Sequence, residues 1–167
     1  YTCANTYMSD LSELIRVKGI SPSLYFGTSD NPGISQHATV FGHIKLPGNP
    51  LKFPGRININ TAEAPVLKAL LPPEYEEQAD QLVAYRLKRS GGNFIQDLTS
   101  PDWYKQVPGF DNAFINSRLL TTSTDLFRIE STAVIEDSTL TVMAVVEREM
   151  DGKSGKYMCK VLKWKVK

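Results

Sequence analysis

The chain has 167 residues, of which 41% are hydrophobic and 22% are charged. This composition indicates one folded domain or two small ones and excludes a chain that is disordered throughout. Nineteen Lys and Arg residues balance 18 Asp and Glu residues to a net charge of +1, so the overall charge gives no reason to expect binding to nucleic acid or to an anionic membrane.

The first segment, residues 1–47, is predicted to be a helical hairpin remnant followed by a linker. Asp10 and Glu13 have the spacing of a capping box, which predicts a short helix over residues 9–18. Residues 27–35 are rich in Gly, Ser, Asn and Pro and are predicted to form a loop.

The second segment, residues 48–122, is predicted to be a helical domain. Ile57 and Ile59 alternate with polar residues, and Asn60 or Thr61 is expected to cap a helix that runs to about Leu71. Pro72 and Pro73 follow directly and end that helix.

A second helix of this domain is predicted over residues 74–90, because acidic residues load its first turn and basic residues its last. Short helices are expected near 101–106 and 111–119. The side chains expected in the core of this domain are Ala79, Leu82, Val83, Leu87, Phe94 and Trp103.

The third segment, residues 123–167, alternates polar and apolar residues and predicts an antiparallel three-stranded sheet. Phe127 and Trp164 are expected on the same buried face, so that Trp164→Ala should cost about 3–5 kcal/mol of stability. The lysines of the last strand lie on the other face and protect a sheet edge. The strands are predicted at 125–136, 139–149 and 156–166.

The middle strand of this sheet is apolar on both faces. Met143 and Val145 form its second apolar face, and we expect a helix or a neighbouring subunit to cover them.

The residues that could support catalysis or bind metal are few. His37 and His43 match no catalytic or metal-binding motif, and the chain contains no G-x-S-x-G, P-loop or G-x-G-x-x-G sequence. Asp30 and Asn31 offer hard oxygen ligands for calcium in a loop that lacks the EF-hand spacing. We therefore expect no enzymatic activity and no cofactor, with calcium at Asp30 and Asn31 left open.

Two cysteines, Cys3 and Cys159, lie near opposite ends of the chain. The absence of a CxxC sequence excludes a redox pair or a zinc knuckle. Two alternatives stay open, free thiols or one long-range disulfide formed in an oxidising compartment.

Residues 14–20 and 58–72 each resemble a helix-hairpin-helix element, the unit that DNA-binding proteins use to hold a phosphate on backbone N–H groups. Ser21 stands where the first hairpin would need its second glycine. Pro72, Pro73 and Glu74 remove a donor and add a negative charge in the second. A structural use of this element is therefore favoured, with DNA binding as the alternative.

The ordered set of motifs resembles the K-type minor pseudopilin family of bacterial type II secretion, general secretion pathway protein K. The Asn-x-Asn-Thr-Ala signature lies at residues 58–62. The other motifs follow the family's order, and they lie at residues 13–20, 79–86, 92–98, 123–129, 145–148 and 162–164.

The resemblance implies a helix-hairpin-helix or SAM-like helical insert fused to a pilin-like α+β domain. Asn58, Asn60 and Thr61 would then have a structural role. Met143 and Val145 would contact a partner. The resemblance further implies a non-enzymatic protein at the tip of a periplasmic pseudopilus, assembled with the I- and J-type minor pseudopilins and helping to export secreted proteins.

The resemblance also implies a hydrophobic N-terminal helix in the inner membrane, so that this chain would be a periplasmic domain. Because the chain begins at Tyr1 and not at Met, we expect it to be a processed or shortened product whose anchoring segment lies outside it.

Overall fold

The computed structural model describes residues 7–42, 44–45 and 51–166. The chain forms two compact units, divided between Gly55 and Arg56. The predicted boundary between residues 47 and 48 lies outside the described residues, and the predicted division into three domains stays a prediction. The fold mixes helices with sheets, as the α+β prediction requires, whereas the fusion of a SAM-like insert to a pilin-like domain stays a prediction.

The first unit begins with a 3-10 helix at Leu11–Arg16. Its capping box is confirmed, since Asp10 accepts the N–H of Ser12 and Glu13 accepts the N–H of Asp10. The helix is shorter than the predicted 9–18. Two short α-helices follow, and two short strands pair antiparallel: α1 (Pro22–Phe26), α2 (Ile34–His37), β1 (Ile44–Lys45) and β2 (Leu51–Lys52).

The predicted loop at 27–35 contains a tight turn and then the start of α2. Gly27 and Pro32 form an isolated bridge, and the Asn31 carbonyl accepts the Thr28 N–H at 2.8 Å. Gly27 has φ +88, and a side chain there would collide with the Asn31 carbonyl, so this turn requires glycine.

The second unit begins with a helical part, residues 56–122. A parallel pair joins its two ends, because β3 (Ile57–Asn58) lies beside β6 (Leu120–Thr121). Between these strands lie two α-helices, α3 (Ala64–Leu70) and α4 (Ala79–Arg86), and a hairpin formed by β4 (Arg89–Ser90) and β5 (Asn93–Phe94). Three 3-10 helices complete this part of the chain, at Pro73–Gln78, Trp103–Gln106 and Ser117–Leu119.

One apolar core fills the helical part. Leu67 and Leu71 of the α3 region meet Ala79 and Leu82 of α4. The aromatic side chains at its centre are fully buried, and Tyr85 stacks on Trp103 with ring centroids 5.7 Å apart. The remaining members of the core are Ile59, Trp103, Tyr104, Val107, Phe110, Ala113, Ile115 and Leu120.

Several predictions for the helical part are wrong. The predicted helix at 74–90 is a 3-10 turn followed by α4, which ends at Arg86. Gly91 and Gly92 adopt positive φ in the turn between β4 and β5, so they close a hairpin. Leu87 and Phe94 are consequently exposed instead of buried, and the 111–119 helix is reduced to Ser117–Leu119.

The remainder of the second unit is the sheet, residues 126–166. Three antiparallel strands in the order β7-β8-β9 confirm the predicted meander: β7 (Leu126–Ile135), β8 (Ser138–Met150) and β9 (Tyr157–Val166). The pairing of β7 with β8 has no register shift, whereas β8 and β9 shift between Val145 and Val146.

None of the helices among the described residues is both long and apolar enough to cross a membrane.

Candidate functional site

Asn60 is the polar centre of the helical part. Its Oδ1 accepts the Trp103 indole N–H at 2.8 Å, and its Nδ2 donates to the carbonyls of Leu98 at 3.0 Å and Thr122 at 3.4 Å. One side chain therefore ties the start of the helical part to its middle and to its end.

Asn58 and Thr61 stabilise the turn around Asn60. The Asn58 Oδ1 accepts the Asn60 N–H at 3.0 Å, and the Thr61 hydroxyl donates to the Asn58 carbonyl at 3.5 Å. The prediction that Asn60 or Thr61 caps the next helix is wrong, because α3 has Glu63 at its N-cap position. Residues 59–61 form a turn instead, so the helix starts later than expected.

Arg86 is a buried charge, and it is one of the basic residues that the sequence places in the last turn of the predicted 74–90 helix. Its Nη1 donates to the Ile59 carbonyl at 2.8 Å, and burial lowers the pKa of its guanidinium from the ordinary value. The spacing of Ala79, Leu82 and Arg86 puts all three on the buried face of α4. That spacing was the signal that could have identified Arg86.

The predicted calcium ligands Asp30 and Asn31 belong to the exposed turn after α1. His37, which matches no metal-binding motif, ends α2. Within 7–42, 44–45 and 51–166, no three His, Cys, Asp or Glu side chains group as metal ligands would. Calcium binding stays a prediction.

The structure describes only one of the two cysteines that could form the disulfide. Cys159 is exposed on β9, and Cys3 lies outside the described residues, as does His43. The disulfide therefore stays an open alternative.

The strand pairing defines two faces of the sheet. Ile129 of β7 lies opposite Ala144 of β8, which lies opposite Trp164 of β9, and residues paired in this way share a face. We call this side the apolar face. Its apolar members are Phe127, Ile129, Ala133, Ile135, Leu140, Val142, Ala144, Val146, Met150, Tyr157, Val161, Trp164 and Val166.

The apolar face is open to solvent. Phe127 and Trp164 share it, as predicted, but they are 38% and 63% exposed, so the prediction that they are buried is wrong. Only the small central side chains Ala144 and Val146 are buried, and they lie on the middle strand between the two outer strands. Alternation along a strand identifies a face but does not show whether another layer covers it.

The opposite side, which we call the charged face, carries Met143 and Val145. Val145 is 8% exposed and lies opposite Lys163, while Met143 is half-buried between Glu130 and Lys165. These two residues offer little apolar surface to a partner. The predicted contact through them stays a prediction, and the apolar face is the better candidate.

Arg148 lies near one end of the apolar face. Its guanidinium lies 4.9 Å from the Tyr157 ring centre and 5.9 Å from that of Phe127, and it forms two hydrogen bonds to the Asp125 carboxylate, at 2.9 and 3.1 Å. Its charge is therefore neutralised by an ion pair next to an otherwise apolar surface.

An apolar surface of this extent is uncommon on a monomeric protein and indicates an interaction site. The helical part, in contrast, uses its polar side chains internally. The geometry therefore points to a binding or structural role centred on the apolar face.

Residues 57–114 match the family model described as type II secretion system (T2SS), protein K. This match confirms the resemblance to the K-type family over the segment that contains Asn58, Asn60 and Arg86, and it supports a component of the type II secretion system. The family is a structural part of that system. No curated protein and no solved structure gives a significant match to the chain.

Proposed function

Starting from the protein K match, we propose that this chain is the periplasmic domain of a minor pseudopilin at the tip of the pseudopilus. It has no enzymatic role in this proposal. The match at residues 57–114 supports the assignment to the secretion system, and the open apolar face supports a sheet that a further helix covers in the full-length protein.

The apolar face is about as long and as wide as one α-helix. The ten residues of β7 extend for about 33 Å at about 3.3 Å per residue. A helix of about 22 residues has the same length. Three strands are about 10 Å across, close to the diameter of a single helix. We propose that the hydrophobic N-terminal helix implied by the resemblance packs on this face.

The partners in this proposal are the I- and J-type minor pseudopilins, with secreted proteins as the transported cargo. The helical part adds about 67 residues to one end of a pilin-like sheet, counting residues 56–122. Such a bulk on one side would block addition of a further subunit there, which is the property that a tip subunit needs.

DNA binding is the alternative that the helix-hairpin-helix resemblance leaves open. Asn58 and Asn60 use their side chains inside the helical part, and Pro72 precedes the 3-10 helix that starts at Pro73. These contacts favour a structural use of the motif.

Secretion in cells that carry the full-length protein tests the proposal. Trp164→Asp places a charge on the apolar face and should abolish secretion, because a buried unpaired carboxylate is strongly unfavourable against an apolar helix. Lys165→Asp, the next residue on β9 and on the charged face, is the matched control and should retain secretion.

Size-exclusion chromatography of this chain with the soluble I- and J-type domains provides the second measurement. One complex of the three chains is expected. Secretion that survives Trp164→Asp, together with three separate peaks, would contradict the proposal. A salt-dependent shift of a DNA duplex by this chain would support the alternative.

A further inference from the structure

The two outer strands of the sheet differ in how well their free edges are protected. The edge of β9 carries a bulge opposite Val145 and Val146 and three lysines on one face, Lys160, Lys163 and Lys165. Bulges and lysines are the common devices that prevent a sheet edge from pairing with another chain. The edge of β7 has neither a bulge nor a row of like charges.

The backbone of β7 presents a regular pattern of free groups. Arg148 donates its N–H to the Asp125 carbonyl at 2.7 Å just before the strand. In an antiparallel pair the groups that face the partner strand alternate along the chain. Odd-numbered residues of β7 therefore turn their N–H and carbonyl groups toward β8, and the even-numbered residues turn theirs outward. Within the described residues, β7 pairs only with β8.

Two opposite charges lie two residues apart on this edge. Arg128 and Glu130 are both exposed and share the charged face. Neither has an ion pair or a hydrogen bond through its side chain to another described residue. Their spacing makes the strand complementary to itself when a second copy runs in the opposite direction.

We propose that β7 pairs antiparallel with β7 of a second copy about a twofold axis at Ile129. In this register Arg128 of each chain lies opposite Glu130 of the other. A shift of the axis by one residue would place Glu130 opposite Glu130 or Arg128 opposite Arg128, and like charges directly opposite are unfavourable. The charges therefore select one register out of the neighbouring ones.

The affinity of this pairing comes from the backbone and from the apolar face. Leu126, Arg128, Glu130 and Thr132 turn their backbone groups outward, and each can exchange hydrogen bonds with the second copy. The two Ile129 side chains meet on the apolar face at the axis. The exposed Arg128–Glu130 pairs add little affinity, and they set the register. This inference does not depend on the proposed secretion role.

Sedimentation of the 167-residue chain at concentrations from low to high micromolar tests the pairing. We expect a reversible dimer. Arg128→Glu or Glu130→Arg alone should weaken it by about tenfold or more, because both charge pairs become repulsive, and the double variant Arg128→Glu with Glu130→Arg should restore it. Lys165→Glu on the edge of β9 is the control and should leave the dimer unchanged.

A cross-link tests the register independently of charge. In a background with Cys3→Ser and Cys159→Ser, Ile129→Cys should form a disulfide between two chains on oxidation, because the paired Cα atoms at the axis are close enough. Ala133→Cys should not, since the two copies of that residue would be about 27 Å apart. A monomer at every concentration, a dimer that ignores both single charge reversals, or a cross-link at Ala133 would each overturn the proposal.

Discussion

The helical part and the sheet of the second unit cover their apolar side chains in different ways. Trp103 of the helical part is 0% exposed and donates its indole N–H to Asn60. Trp164 of the sheet is 63% exposed on the apolar face. The same residue type thus closes a core in one region and remains available for a partner in the other, which indicates that the helical part is self-sufficient and the sheet is not.

Replacing each tryptophan with alanine is the most direct test of the difference in burial between the two regions. Trp103→Ala should cost about 3–5 kcal/mol, the usual loss for a buried large aromatic side chain. Trp164→Ala should cost less than about 1 kcal/mol in this chain, because its side chain is largely solvated already. Chemical denaturation of both variants measures the difference. Equal costs would contradict the difference in burial between the two regions.

The small cost now expected for Trp164→Ala replaces the cost of about 3–5 kcal/mol that the sequence pattern predicts. Alternation of apolar residues correctly identified three strands and the shared face of Phe127 and Trp164, because strand geometry has a period of two. It could not show that the face is open. Whether a sheet face is buried depends on segments that are distant in sequence, and local alternation contains no information about those segments.

The same limit applies to the candidate site in the helical part. The capping box of Asp10 and Glu13 was predictable because its partners lie within four residues. The role of Asn60 was not, since its partners Leu98 and Thr122 are 38 and 62 residues away. The Asn-x-Asn-Thr-Ala segment showed that these residues matter, while the contacts that explain why required the fold.

Polar side chains provide a second, smaller contrast between the two regions. Asn60→Ala should cost about 1–3 kcal/mol, because it leaves the Trp103 indole N–H without its acceptor inside the helical part. Thr132→Val in the sheet removes an exposed hydroxyl contact to Thr141 and should change stability by no more than about 0.5 kcal/mol.

Denaturation curves of these two variants, measured under one set of conditions, provide the comparison. A loss for Thr132→Val as large as that for Asn60→Ala would mean that the polar contacts of the sheet are as tightly coupled as those of the helical part.

The smallest expected effect concerns one carboxylate in each region. Hydrogen bonds from the Thr99 hydroxyl and backbone lower the pKa of Asp97 in the helical part. Hydrogen bonds from the Ser154 hydroxyl and from the Lys153 backbone lower that of Asp151 in the turn between β8 and β9. Because both pKa values are lowered on folding, each carboxylate stabilises the folded chain above the ordinary aspartate pKa, and this contribution is lost as the pH falls through the lowered value.

Each pKa shift arises within its own exposed turn, so burial of the surrounding apolar surface should not affect either shift. Thr99→Val and Ser154→Ala each remove the largest cause and should raise the pKa of Asp97 and Asp151 toward the ordinary value. Carboxyl titration followed by NMR measures both, with the Asp97 signal in Ser154→Ala and the Asp151 signal in Thr99→Val as controls that should not move. A change restricted to the helical part would show that the open sheet also leaves its turn poorly ordered, and the contrast between the two regions would then extend from their apolar packing to their local polar structure.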